Sequence, residues 1–120
     1  MNISQLRKSF LYAWRGARTV LREEQNFRLQ IGAAMFVFLL GWFFHLRPIE
    51  SAILALVTGS VLVLELLNSV LERVVDLVKP RVHPYIAEIK NIAAAAVLVA
   101  AFTAIAVAFF IFIPHLLERF

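Results

Sequence analysis

Cysteine is absent from the 120 residues, so disulfides and thiolate metal sites are excluded. Glycine is scarce. Gly16, Gly32, Gly41 and Gly59 stand far apart, and none belongs to a Gly-x4-Gly-Lys-[Ser/Thr] loop, which excludes a P-loop phosphate cradle. Charged residues make up only 17% of the chain, while 62% is hydrophobic. A mean hydropathy of +0.82 is too apolar for a soluble domain of this length. The apolar residues are concentrated in blocks, so the expected class is a small, single-domain, all-α integral membrane protein. The formal net charge of +4 suits either nucleic acid or an anionic membrane surface. The apolar blocks favour the membrane, and no nucleic-acid partner is expected. Arg7, Lys8, Arg15, Arg18 and Arg22 interrupt the first segment before an apolar core can form, so no cleavable signal is expected there.

Residues 3–22 alternate rather than run. Ile3, Leu6, Phe10, Trp14, Ala17 and Leu21 recur at three- and four-residue steps, with basic residues on much of the other side. The pattern predicts an amphipathic helix at the membrane interface, with Tyr12 and Trp14 at headgroup level. A polar hinge, Glu23-Glu24-Gln25-Asn26-Phe27-Arg28, leads into a first span over 27–45. The short turn that follows implies an antiparallel hairpin, and Pro48 either ends the first span or opens the second. The second span is expected over 51–78, ~42 Å of helix against a hydrocarbon core of ~30 Å, so its second end must project. Pro80 and Pro84 mark a loop. The third span is expected over 86–113, stopped by Pro114. Its Ala96, Ala100, Ala104 and Ala108 form a small-residue face suited to close packing on another helix or subunit.

Arginine and lysine crowd the segment before the first span and the stretch from Arg73 to Lys90, whereas Arg47 stands alone in the first turn and Arg119 in the tail. Positive charge inside puts the N-terminus and second loop in the cytoplasm and the C-terminus outside, in a plasma or inner membrane.

The second span contains the feature that most requires a function. Glu65, Asn68, Glu72 and Asp76 fall within one helical arc of roughly 80°, with Ser69 at its edge. A charged side chain at the centre of a span costs about 2.5–3.5 kcal/mol on insertion scales. Counted from Ser51, Glu65 lies about 21 Å along the helix and Asp76 about 38 Å, so the line starts near the second interface and runs out through it. One reading is a metal–phosphate site: Glu24 and Glu72 share a side of the membrane, and hard carboxylate oxygens suit Mg²⁺ completed by phosphate. Arg81, His83 and Lys90 would then reach phosphate oxygens from the loop. Glu65 lies deeper, at a depth suited to general-base work. A second reading is an ion path. A third is structural: Asn68 and Ser69 bonding across helices, and Glu72, Arg73 and Asp76 solvated or paired at the interface.

The pattern Glu65-x-x-Asn68-Ser69-x-x-Glu72-x-Val74-Val75-Asp76 resembles the signature of the small prokaryotic diacylglycerol kinases, a family that includes undecaprenol kinases. Tyr12-Ala13-Trp14-x-Gly16, Glu24-x-Asn26-Phe27-Arg28 and His83-Pro84 before Ile89-Lys90 extend the resemblance over nearly the whole chain. It implies a homotrimer with active sites shared between subunits, and transfer of the ATP γ-phosphate to a membrane lipid hydroxyl. Glu65 would be the base and Asn68 would orient the site. Glu24 and Glu72 would hold Mg²⁺, and with Tyr12, His83, Lys90 and Asn91 they would make up the nucleotide site. Trp14, Arg18 and Glu65 are the candidate lipid contacts. The family has aspartate after Lys90, where this chain has Asn91. That uncharged substitute keeps hydrogen-bonding capacity, and it motivates the alternatives of an altered relative or a non-enzymatic membrane assembly. The Glu-x-Asn-Phe-Arg-x-Gln hinge is more similar to the undecaprenol kinase branch than to the diacylglycerol-specific one.

Overall fold

Four helices account for the chain in the computed structural model, which describes residues 2–79 and 83–120: α1 (Ile3–Glu23), α2 (Gln25–Phe43), α3 (Pro48–Val78) and α4 (His83–Arg119). Three of them, α2, α3 and α4, are long and apolar enough to cross a membrane. Their exposed large residues, among them Met35, Phe36 and Leu39 on α2 and Phe102, Phe109 and Phe110 on α4, fit a lipid surround rather than water.

Local chemistry sets the breaks between helices. Asn2 Oδ1 accepts the Gln5 N–H at 2.9 Å while Gln5 Oε1 accepts the Asn2 N–H at 3.2 Å, a reciprocal cap that starts α1. The polar hinge collapses to one residue. Glu24 is extended (φ −117°, ψ 114°) and serves both as the C-cap of α1 and the N-cap of α2. Arg28 stabilises the break: its Nη1 donates to the Leu21 and Arg22 carbonyls at 2.9 and 2.8 Å, satisfying acceptors that the end of α1 leaves free.

At the other end of α2, the Leu46 N–H bonds the Gly41 carbonyl at 3.2 Å and the His45 N–H bonds the Trp42 carbonyl at 3.3 Å. With His45 at φ 54°, this is a Schellman closure carrying histidine where glycine is usual. A Cβ on Gly41 would come within 2.9 Å of Leu46 Cδ1, so the missing side chain lets the turn fold back on the helix. Pro48 opens α3 as its first residue, where its missing N–H does no harm. Its other expected role, ending the first span, does not apply.

Helix α3 is the axis of the molecule. It packs chiefly against α4 and also against α2, and the end of α1 rests on α2 and α3. Among the described residues, the buried hydrophobic side chains are Leu54, Val61 and Val75 of α3, Ile86, Val97 and Ile111 of α4, Phe27 of α2 and Val20 of α1. Lipid is as apolar as these side chains, so close packing and buried hydrogen bonds hold the helices together rather than the exclusion of water. The hydroxyls on the apolar stretches are satisfied locally. Thr58, Ser60 and Thr103 donate to the Leu54, Leu56 and Val99 carbonyls at 2.8, 2.7 and 2.9 Å.

One feature departs from the sequence reading. Helix α4 does not stop at Pro114 but continues to Arg119. Proline removes a single N–H from the ladder, and a helix flanked by neighbours can absorb that loss. Beyond the proline, His115 Nε2 lies 2.9 Å from Glu50 Oε1, and the Arg119 guanidinium sits 4.5 Å from the centre of the Phe43 ring. These contacts anchor the extra turn to the start of α3 and the end of α2. The alanine face of α4, expected to pack on another helix or subunit, is partly covered within the chain. Ala96 is exposed and Ala100, Ala104 and Ala108 are half-buried. Ala104 and Ala108, with Ala33 and Ala34 of α2, line an apolar cavity of about 200 Å³ between α2, α3 and α4.

Candidate active site

The line of polar residues on α3 meets the hinge between α1 and α2. Glu65 and Ser69 are the two buried polar residues of the described chain, 3% and 1% exposed. Each is held by a residue far away in sequence. Ser69 Oγ donates to Glu24 Oε1 at 2.8 Å, and Gln30 Nε2 donates to Glu65 Oε2 at 3.2 Å. One turn further along α3, Asn68 Nδ2 donates to Glu72 Oε1 at 3.3 Å. The carboxylates of Glu24 and Glu72 both lie within electrostatic reach of Glu65. Glu24, Glu65, Asn68 and Glu72 are therefore brought together, and burial falls from Glu65 to half-buried Glu72 to exposed Asp76.

Arg73 clamps the hinge to the helix. Its Nη2 pairs with Glu23 Oε2, and its Nη1 bonds the Ser69 hydroxyl and lies 3.7 Å from Glu24 Oε1. The structural role considered for Arg73 is thus realised: it neutralises part of the acidic hinge and fixes Glu24 over α3. Ser69, taken at the sequence level as an edge residue able to bond across helices, makes that bond from the most buried polar position.

A cleft of about 270 Å³ opens beside Glu65. Asn26 and Gln30 of α2, Glu65 and Asn68 of α3, and Ala94, Val97, Leu98 and Ala101 of α4 line it. Two of these residues carry buried oxygens, Gln30 Oε1 and Asn68 Oδ1, that have no hydrogen-bond partner among the described residues. Most buried polar atoms in folded proteins are paired, so such a pair marks a place where a donor or cation belongs. The sequence reading did not single out Asn26 or Gln30 as site residues. The available signal was their i, i+4 spacing at the polar end of an otherwise apolar span, which puts both on one face.

The other predicted residues are spread more widely. Lys90 Nζ pairs with Asp76 Oδ1 at 2.9 Å, joining α4 to the outer end of α3. Asn91 is exposed beside it. Tyr12, Trp14 and Arg18 are exposed on α1, and the Arg15 guanidinium lies 5.8 Å from the centre of the Tyr12 ring. None of the three takes part in the hydrogen bonds made by the side chains of Glu24, Glu65, Asn68 and Glu72. His83 begins α4, but its side chain, like Arg81, lies outside the described residues. Among the described residues, no group of three or more His, Cys, Asp or Glu is arranged to hold a metal ion by itself.

An all-helical chain with three membrane-length helices and a buried carboxylate facing a cleft on its axial helix belongs to the class of small membrane proteins with a buried polar site. Comparison with known proteins narrows the class. The profile of the family described as prokaryotic diacylglycerol kinase matches residues 11–112. The chain belongs to that family of membrane lipid kinases. It is 38% identical over 109 residues to the undecaprenol kinase of Bacillus subtilis strain 168, covering 91% of this chain and 89% of that protein. It is 40% identical over 111 residues to a diacylglycerol kinase of Synechocystis sp. strain PCC 6803, covering 92% of this chain but only 63% of that longer protein.

Proposed function

We propose that the protein transfers the γ-phosphate of ATP to the primary hydroxyl of a membrane lipid, either undecaprenol or diacylglycerol. The observation that carries this reading is the burial gradient of the carboxylates on and beside one face of α3: Glu65 buried, Glu72 half-buried, and Glu24 held to the helix by Ser69 and Arg73. A lipid hydroxyl approaches from the membrane and a nucleotide from water, so the reaction needs acidic groups at both depths. The order of similarity offers little choice between the two lipids, since 38% and 40% identity are nearly equal.

In this mechanism Glu65 takes the hydroxyl proton as the lipid oxygen attacks the γ-phosphorus. The new O–P bond forms, the bond from the γ-phosphorus to the β,γ-bridging oxygen breaks, and ADP departs. Asn68 orients Glu72 through its amide. Glu24 and Glu72 would hold Mg²⁺: the donors are all hard oxygens, and the unpartnered Asn68 Oδ1 adds another. Two carboxylates completed by phosphate oxygens are a usual magnesium set. When bound, the metal neutralises charge on the transferring phosphoryl group. Tyr12, His83, Lys90 and Asn91 face the nucleotide in this reading. Lys90 would have to leave Asp76, an exchange of one anionic partner for another.

The amphipathic pattern of α1 suits a helix lying on the cytoplasmic surface, with Trp14 and Arg18 toward lipid. The chain is read as one domain with the N-terminus inside and the C-terminus outside. The half-closed alanine face and exposed apolar residues of α4 support assembly, for which a homotrimer with shared sites is the working form. An ion path finds less support. Beyond Glu65, Thr58 and Ser60 spend their hydroxyls on their own helix, so among the described residues of α3 the polar line does not cross the span.

The test is transfer of label from γ-labelled ATP to diacylglycerol and undecaprenol, assayed side by side with purified protein in bilayers. Phosphorylation of one lipid is expected. Transfer to neither, from a folded assembly, would overturn the proposal.

A further inference from the structure

Glu65 has a partner on another helix, and that partner is an amide. Gln30 reaches across from α2, and its Nε2 donates to Glu65 Oε2 at 3.2 Å. No hydrogen bond engages Glu65 Oε1 among the described residues, so one carboxylate oxygen is fixed and the other remains for a proton. Gln30 also lines both the polar cleft and the apolar cavity beside it, which makes it the polar side chain at the junction of the two. Its own Oε1 is buried and has no partner among the described residues. Amide oxygens accept hydrogen bonds but are far too weakly basic to keep a proton. A hydroxyl admitted beside the Gln30 oxygen is therefore oriented without competition for the proton that Glu65 is to take.

We infer that Gln30 is a positioning residue of the phosphotransfer site, fixing the Glu65 carboxylate through its N–H and aligning the lipid hydroxyl through its free carbonyl oxygen. The inference rests on the lipid-kinase reading for its consequence but not for its geometry. A carboxylate in a sparsely hydrated cleft has few donors to hold its rotamer. Misplacement of a reacting group by about 1 Å can cost on the order of 100-fold in rate.

Two variants separate positioning from filling space. Gln30→Met keeps length and volume but removes both polar atoms. Gln30→Glu keeps shape and an acceptor but replaces the donor with a second carboxylate facing Glu65. Both are expected to lower kcat at least ~10-fold while the KM for ATP stays within ~2-fold, because the nucleotide end of the site is untouched. Helix content and oligomer size should not change. A readout independent of turnover is the side-chain amide resonance of Gln30, in protein labelled with ¹⁵N at glutamine side chains. It should shift in Glu65→Ala and not in Glu50→Ala. Full turnover in either Gln30 variant would overturn the inference, as would an amide resonance indifferent to Glu65. If the wild type transfers no phosphate while the resonance responds to Glu65→Ala, the kinase reading and the proposed role fall together, and the Gln30–Glu65 contact alone survives.

Discussion

Helix α3 carries a half-buried carboxylate in its first turn, Glu50, and a buried one near its middle, Glu65, and the two are surrounded differently. Glu50, in the first turn, has its oxygen surrounded by donors: the Arg47 N–H at 3.0 Å, the Arg47 guanidinium at 3.4 Å and His115 Nε2 at 2.9 Å. It ties the α2–α3 turn to the last turn of α4. Glu65 has one neutral donor, Gln30, and two anionic neighbours, Glu24 and Glu72. Gln30 and Asn68, which line the same cleft, carry buried amide oxygens with no partner among the described residues. A saturated carboxylate serves the fold. An under-supplied one beside like charges is poorly suited to stability and well suited to chemistry.

The sharpest way to break the comparison is to neutralise each carboxylate in turn. Glu65→Gln should lower turnover by about 10²–10⁴-fold, the usual contribution of a general base, with nucleotide binding largely intact. Glu50→Gln should leave turnover within about 2-fold. Steady-state kinetics on the two variants in the same bilayer preparation decides this, and equal losses would erase the distinction.

The hinge gives a smaller effect. Ser69→Ala removes the hydroxyl that holds Glu24 to α3. Bonds to charged groups are worth about 1.5–3 kcal/mol, so metal-dependent nucleotide affinity should fall roughly 10-fold or more, while helix content by circular dichroism is kept. Glu72→Gln should also raise the Mg²⁺ concentration needed for half-maximal nucleotide binding. A Ser69→Ala protein with unchanged Mg²⁺ dependence would place Glu24 outside the metal site.

The other end should respond only in stability. His115→Ala deprives Glu50 of its partner on α4 and is expected to destabilise the fold by about 1–2 kcal/mol, read from unfolding in detergent, with little change in kcat. The smallest effect is a gain. His45 holds φ 54°, and His45→Gly should stabilise by up to about 1 kcal/mol by removing the Cβ from a left-handed position. A loss there would show that the imidazole has a role the turn does not reveal.

The helical class and the three long apolar helices are legible in the sequence because each apolar block is long enough to leave few alternatives. The gathering of Glu65, Asn68 and Glu72 is legible because helical periodicity alone puts them on one face. What periodicity cannot give is the partner across a helix boundary. Ser69 meets Glu24 across 45 positions, and Gln30 meets Glu65 across 35. A glutamine near a membrane interface has no local signature that separates a site residue from a solvated one. Pro114 is misread for a related reason. A proline predicts a helix end from local sterics, whereas here contacts of His115 and Arg119 with distant residues carry the helix past it. The double use of Glu24, as the cap between two helices and as Ser69's partner, likewise depends on Arg28 and Arg73, which composition alone reads as interfacial charge.

The central claim is that the under-supplied carboxylate is the reacting one. The most direct test is transfer of ³²P from γ-labelled ATP to diacylglycerol and to undecaprenol by the wild type, Glu65→Gln and Glu50→Gln proteins in bilayers. Labelled lipid is expected from the wild type and Glu50→Gln, with loss by at least about 100-fold in Glu65→Gln. Comparable labelling by the wild type and Glu65→Gln would contradict the account.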